Sequence, residues 1–320
     1  MSQIVMEGVK KSKVIIAHSR EVNVEFLQRA LAELGLLEKL ELADVIAIKP
    51  NLTAGTYYKG GSGVVTRSQL LEVTITTINA CNDKCKVYIM ESDDTCAKFE
   101  YQGYGKLKEK YGNLELLDLP KDTERRVNIK NRRFFEIINL SEKLLNSNFF
   151  ISCAIMKTHP LTTISGILKN QLGCLSEPEK RRYHPFLPKV LCDINRAIKP
   201  DLCIMDGSPG LEGHGPIHGK PKDIGLILFG NDPVATDSVS AYLMGFNPYK
   251  ISHLKLANKC DLGELNLNKI CIQGGNLSEL RTNFEFSPYG KWLMIHTGLF
   301  IQRIGYYLFE FGHGIYARRG

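Results

Sequence analysis

Tight cysteine pairs are missing from this 320-residue sequence. Nine cysteines lie scattered at 81, 85, 96, 153, 174, 192, 203, 260 and 271. An odd count in a long chain argues against a disulfide framework. The CxxxC of Cys81 and Cys85 is too loose, and too short of further ligands, for a zinc or iron–sulfur site. A signal-peptide apolar run is absent too: Ser2 to Lys13 is mixed and charged, so the expected compartment is a reducing cytoplasm. No stripe interleaves basic and aromatic residues, so nucleic acid is not an expected partner.

Nucleotide-loop motifs also fail on spacing. In the Gly-rich stretch Gly207 to Gly219, five residues separate Gly213 from Gly219, and Pro221 follows Lys220 where a P-loop has Ser or Thr. His218 stands where a dinucleotide fingerprint needs its third glycine. Ser165 and Lys169 are one residue too far apart for the SxxK nucleophile pattern.

What is present is a globular composition, 43% apolar and 23% charged, with a modest net charge of +7 that suits small anionic ligands. Apolar runs at 14–17, 44–48, 87–90, 149–155, 202–205, 224–229 and 270–272 read as strands. Helical spacing falls between them at 21–37, 68–80, 187–197 and 232–244, the last opening on Asp232-Pro233 as cap and first turn. This alternation predicts an α/β fold, a mostly parallel sheet flanked by helices. Residues 1–285 form the domain, as one body or as lobes of about 1–145 and 146–285.

The chemistry concentrates after the 149–155 run, from Met156 to Gly173. Lys157 and His159 alternate and so point the same way on extended backbone, which Pro160 enforces at His159. A helix over Ser165–Leu172 would place Ser165 and Lys169 on one face and aim free N–H groups near Thr162 and Thr163 at an anion. A histidine between two lysines stays neutral, which suits a proton-transfer base or a metal ligand. Lys49 and Asn51 end another strand; Asp206 ends a third. Backbone at Gly213 and Gly215 can approach a ligand closely. His214 and His218 could bind a metal, and Asp237 sits in the first turn of its helix.

The segment 286–320 differs from the rest. Between Lys291 and Phe311, His296, Arg303 and Glu310 recur every seven residues on an otherwise apolar helical surface. A C-terminal amphipathic helix with a basic tail is expected. It would dock on the domain, join a homodimer, or lie at a membrane surface through residues 291–311.

Several short pieces occur in a specific order: Ile48-Lys49-Pro50-Asn51-Leu52, Met156-Lys157-Thr158-His159, Leu168-Lys169-Asn170-Gln171-Leu172-Gly173, Tyr183-His184, Asp206-Gly207, Glu212-Gly213-His214-Gly215-Pro216 and Pro233-Val234-Ala235-Thr236-Asp237. Over residues 14 to 275 this resembles the family catalogued as domain of unknown function 362. The resemblance implies a fold and a motif order rather than a reaction. Some members carry iron–sulfur modules; this chain has no CxxCxxCxxxC run. His159 and Lys169, ten residues apart with Ser165-Gly166 between them, are also similar to the nickel-pincer lactate racemase family. There a lysine at the matching place carries the cofactor, although the surrounding glycines are mostly absent here.

The leading expectation is an enzyme that moves a proton on a small carboxylate or phosphate. Its catalytic residues would be His159, Lys169 and Asp206. Lys49, Asn51, Lys157, Thr162, Asn170, His184, Glu212, Gly213, Gly215 and Asp237 would bind the substrate. Asp206 or Glu212 would orient His159 or hold a divalent metal, for which His159 and His214 are further candidates. The alternatives are a metal- or iron–sulfur-linked redox protein and a non-enzymatic, cytoplasmic binding protein peripheral to a membrane.

Overall fold

The computed structural model describes residues 11–286, apart from 54–56, 93–94 and 178–179. The expected C-terminal helix and its membrane or dimer contact therefore lie outside the described residues. Among the described residues no helix is long and apolar enough to cross a membrane.

The strands in chain order are β1 Lys13–His18, β2 Val45–Pro50, β3 Lys86–Glu91, β4 Leu114–Asp118, β5 Glu124–Asn128, β6 Ile137–Ser141, β7 Phe149–His159, β8 Thr163–Ser165, β9 Leu202–Glu212, β10 Lys220–Lys222, β11 Leu226–Gly230 and β12 Cys271–Gln273. Ten build one sheet in the order β12-β1-β11-β9-β7-β2-β3-β4, with β8 and β10 added as hairpin partners of β7 and β9. From β9 to β4 every neighbour on that path is parallel, whereas β11 runs antiparallel to both β1 and β9. This is the expected α/β architecture with a mostly parallel sheet. β5 and β6 form a separate antiparallel pair.

Alternate strand residues enter cores on opposite faces. Ile46, Ile48, Val87, Ile151 and Cys153 pack against Leu27, Leu31, Leu71 and Ile75 of the helices Val24–Glu33 and Ser68–Cys81. On the other face Ala47, Met90 and Phe150 meet the helix Leu187–Ala197. Ala154, Met156, Cys203 and Met205 meet the helices Pro233–Leu243 and Ser252–Lys259. With both faces covered, every residue of β7 is buried.

Capping follows local sequence. Asp232 accepts the Val234 and Ala235 amides at 2.8 and 3.0 Å, and Pro233 starts the helix as expected. The long helix expected over 21–37 is cut short: it spans Val24–Glu33, and Gly35 at φ +67° turns the chain into a second short helix, Leu37–Glu41.

The connectivity has one reversal that matters. β2 leads through Ser68–Cys81 to β3 on one side, while its neighbour β7 leads through Leu187–Ala197 to β9 on the other. These helices lie on opposite faces. A crevice at the carboxyl ends of two strands whose connections diverge is where open α/β sheets bind ligands.

Candidate functional site

Lys49 and Asn51 stand at the carboxyl end of β2, and Lys157 and His159 at that of β7. The motif from Met156 to His159 is therefore strand, not the turn after it; β7 runs four residues beyond its apolar run and folds back on β8. Lys49 Nζ bonds Glu91 Oε2 at 3.0 Å, on the end of β3, and donates to the Pro50 carbonyl at 2.7 Å. Lys157 has no exposed surface and donates only to neutral oxygens, Asn51 Oδ1 at 3.0 Å and the Val64 carbonyl at 2.9 Å. Burial, then the charges of Lys169 and Lys49, bring its ammonium group down to about 7. The Thr66 hydroxyl fixes this arrangement by accepting the Asn51 amide at 2.8 Å and donating to the Cys153 carbonyl at 3.0 Å.

Lys169 lies on a single helical turn, Ile167–Asn170, tied at both ends. Asp237, buried one turn into its own helix rather than in the first turn as expected, because the helix starts at Pro233 behind the Asp232 cap, accepts the Ile167 and Leu168 amides at 2.7 and 3.0 Å. Asn170 Nδ2 donates to the Lys49 carbonyl at 3.0 Å and to Ser152 Oγ at 3.1 Å. Gly166 is needed here, because a Cβ would come within 2.2 Å of Asp237 Oδ1. The anion site expected near Thr162 and Thr163 is thus a different object: Thr163 is in β8, the Thr162 hydroxyl donates to the Ile164 carbonyl, and the helix-start amides are taken by a carboxylate. The predicted Ser165–Leu172 helix shrinks to one α turn followed by a 3-10 turn, Gln171–Cys174, because the Asp237 clamp starts it late.

Three imidazoles surround Lys169 electrostatically. His159 is buried, its ring edge-on to His184 with centroids 6.4 Å apart. Its Nδ1 accepts the Leu161 amide at 3.2 Å, so a neutral ring carries its hydrogen on Nε2. Burial and then Lys169 hold it well below its ordinary range. His184 falls to about 3 through burial, Lys169 and Arg181. His253, from the Ser252–Lys259 helix, falls to about 3 through burial and Lys169. Neither His253 ring nitrogen has a hydrogen-bond partner among the described residues, although the side chain is buried. Such orphaned nitrogens want a ligand or water.

Other expected members stand elsewhere. Asp206 does not orient His159: Arg67 grips it bidentately at 2.9 and 3.2 Å, and burial still raises its carboxyl to about 6. Glu212 accepts Lys222 Nζ at 2.8 Å and the Glu285 amide at 2.9 Å, which hold it below the usual carboxylate range despite burial. Gly213, at φ +79°, receives the Thr158 hydroxyl on its carbonyl at 3.1 Å. Gly215 lies so close to β7 that a Cβ would reach the Thr158 carbonyl at 2.2 Å. Gly215 thus lets backbone approach backbone at the strand that carries Lys157, whereas a Cβ at Gly213 would meet nothing within 4 Å and that glycine serves only its positive φ. His214 is exposed, and no three His, Cys, Asp or Glu side chains among the described residues are grouped to hold a metal ion.

Sequence reasoning missed Glu91, Arg67 and His253. Glu91 was within reach: it follows Val87–Met90 directly, in the strand-end position that singled out Lys49 and Asp206. Arg67 and His253 carry no local signal, since their partners are distant in sequence.

Comparison with known proteins places the chain. The thylakoid-associated protein sll1697 of Synechocystis sp. is 26% identical over 221 residues, 65% of this chain and 65% of that protein. The chain thus spans just under two thirds of the length of the curated relative it matches. The lactate racemase apoprotein from Thermoanaerobacterium thermosaccharolyticum aligns with a TM-score of 0.41 and 12% identity, over 77% of this chain and 56% of that one. The family model described as a domain of unknown function (DUF362) matches residues 46–242, and the chain belongs to that family.

Proposed function

We propose that this protein is an enzyme that binds a small carboxylate or phosphate where β2 and β7 diverge and moves a proton on it. The observation that carries this reading is Lys157: a fully buried lysine, held by two neutral oxygens, with Lys49, Lys169 and His159 near it. Such a group gains more from an incoming anion than from anything it touches now. Lys169 supplies positive charge at the mouth of the site, and His159, with its hydrogen on Nε2, donates to a substrate oxygen. Lys157 is the better proton carrier, since a group near 7 takes and returns a proton at neutral pH. His159, held neutral, polarises rather than titrates.

The test is proton exchange. The full-length protein is incubated in D2O with two- to four-carbon hydroxy- and keto-carboxylates and their phosphate esters, and loss of C–H signals is followed by NMR. Exchange on one class, abolished in Lys157→Met and Lys169→Met, supports the reading. No exchange with any of them, together with no thermal stabilisation by any, removes it.

A second reading is favoured by the name of the thylakoid-associated relative. Residues 291–311 would then hold the protein at a membrane surface. Flotation of full-length and 1–290 chains with anionic liposomes decides this. The full chain alone should float.

A further inference from the structure

Away from the anion site, two thiols meet between helices. Cys192 lies in Leu187–Ala197, and Cys260 is the residue that ends Ser252–Lys259. Both are reduced, and they are buried neighbours in the core between these two helices, close enough for each thiol to influence the other. Arg133 Nε donates to Cys260 Sγ at 3.3 Å, and Arg196 Nη2 donates to the Cys260 carbonyl at 3.0 Å. Arg196 Nε is buried without a partner among the described residues. The Arg133 backbone is not free to drift. Asp193, next to Cys192, accepts the amides of Arg133, Phe134 and Phe135 at 2.8, 2.6 and 2.8 Å. One carboxylate is thereby occupied by backbone, leaving two guanidinium groups beside the sulfur pair.

We propose that Cys192 and Cys260 are a reversible dithiol–disulfide pair in which Cys260 is the attacking sulfur. Cationic neighbours favour a thiolate, and Cys260 is drawn down by Cys192 and the two arginines in spite of burial. Cys192 is pushed the other way, as a resolving thiol should be. The contrast with the other cysteines gives selectivity. Burial raises Cys85 to about 11 and Cys174 to about 12, and lifts Cys153 and Cys203 well above the ordinary range. Cys260 is itself buried, with the exposed Arg133 bonded to its sulfur, so a small oxidant is the reagent of choice.

With a peroxide the steps balance. Cys260 thiolate attacks one peroxide oxygen and the O–O bond breaks, giving a sulfenic acid and hydroxide; the hydroxide takes up the proton Cys260 lost. The Cys192 sulfur then attacks Cys260 sulfur, the S–O bond breaks, and water leaves with the Cys192 proton. Two electrons pass from sulfur to peroxide, and two waters form. The crosslink would clamp Ser252–Lys259 to Leu187–Ala197, and the first of these helices carries His253 in its first turn.

Full-length protein treated with hydrogen peroxide and digested without reductant should yield a linked peptide pair containing Cys192 and Cys260, two hydrogens lighter than the separate peptides. In Cys192→Ser, dimedone should label Cys260 well above any other cysteine, because the Arg133 guanidinium beside it favours the thiolate. Oxidised protein without the 192–260 link, or dimedone spread evenly over the cysteines of Cys192→Ser, overturns the proposal.

Discussion

Lys157 Nζ lies 3.0 Å from Asn51 Oδ1, joining the last residues of β7 to the residue that follows β2 across 106 positions of sequence. A buried ammonium held by a carboxamide and a carbonyl is under-compensated. This one contact therefore links stability to pH and to ligand. The folded chain releases the Lys157 proton near pH 7, whereas the unfolded chain holds it to about 10.5. Across that window the unfolded state binds more protons, so stability rises with pH. Thermal melts from pH 6 to pH 10 should show this rise in the native protein and a shallower one in Lys157→Met. Equal slopes would mean an ordinary solvated lysine.

The Asp237 clamp positions Lys169. Asp237→Asn turns an amide donor toward one of the Ile167 and Leu168 N–H groups and leaves it unmade. A loss of about 1–3 kcal/mol in urea unfolding is expected. Anion binding should weaken as well, although both Asp237 oxygens are taken by backbone amides. A variant of native stability would contradict the clamp.

Arg67→Met leaves Asp206 buried and unpaired. The pair is partly exposed on the arginine side, at 24%, so about 2–3 kcal/mol is expected at pH 8 rather than the full cost of a sealed pair. Asp206 is already raised to about 6 with Arg67 present, and its loss raises it further. Between the unfolded value, 3.8, and the folded one, the native state holds the extra proton, so stability falls as pH rises through that window. The deficit of the variant should shrink at pH 5. A deficit independent of pH would assign Arg67 a packing role only.

Gly215→Ala drives a methyl group to within 2.2 Å of the Thr158 carbonyl, displacing the strand between Lys157 and His159. We expect a loss of about 1–3 kcal/mol. Gly112→Ala, with nothing within 4 Å of its Cβ, should be close to neutral. Similar melts for the two would show that the hairpin yields easily.

The sheet was legible because its strands are continuous apolar runs, and the Asp232-Pro233 start was legible because capping is local. Lys49, Lys157, His159 and Lys169 were legible as polar residues placed against apolar segments. The pairing of Lys49 with Glu91, of Arg67 with Asp206, and the arrival of His253 were not. Each joins residues from separate elements, and no periodicity encodes which strand end meets which helix. The four-residue turn at Ile167–Asn170 was misjudged for the same reason: its start is set by Asp237, 70 positions away from Ile167. Glu212 was assigned to the site on its neighbours, and a nearby lysine claims it.

The most direct test is calorimetry at pH 8 in two buffers of different ionisation enthalpy, titrating the native protein and Lys157→Met with the carboxylate or phosphate that stabilises the fold best. An anion entering beside a mostly neutral Lys157 should raise its proton affinity, so binding should take up close to one proton in the native protein and close to none in the variant. Binding without proton uptake, or with the same uptake in Lys157→Met, would contradict a site built around this lysine.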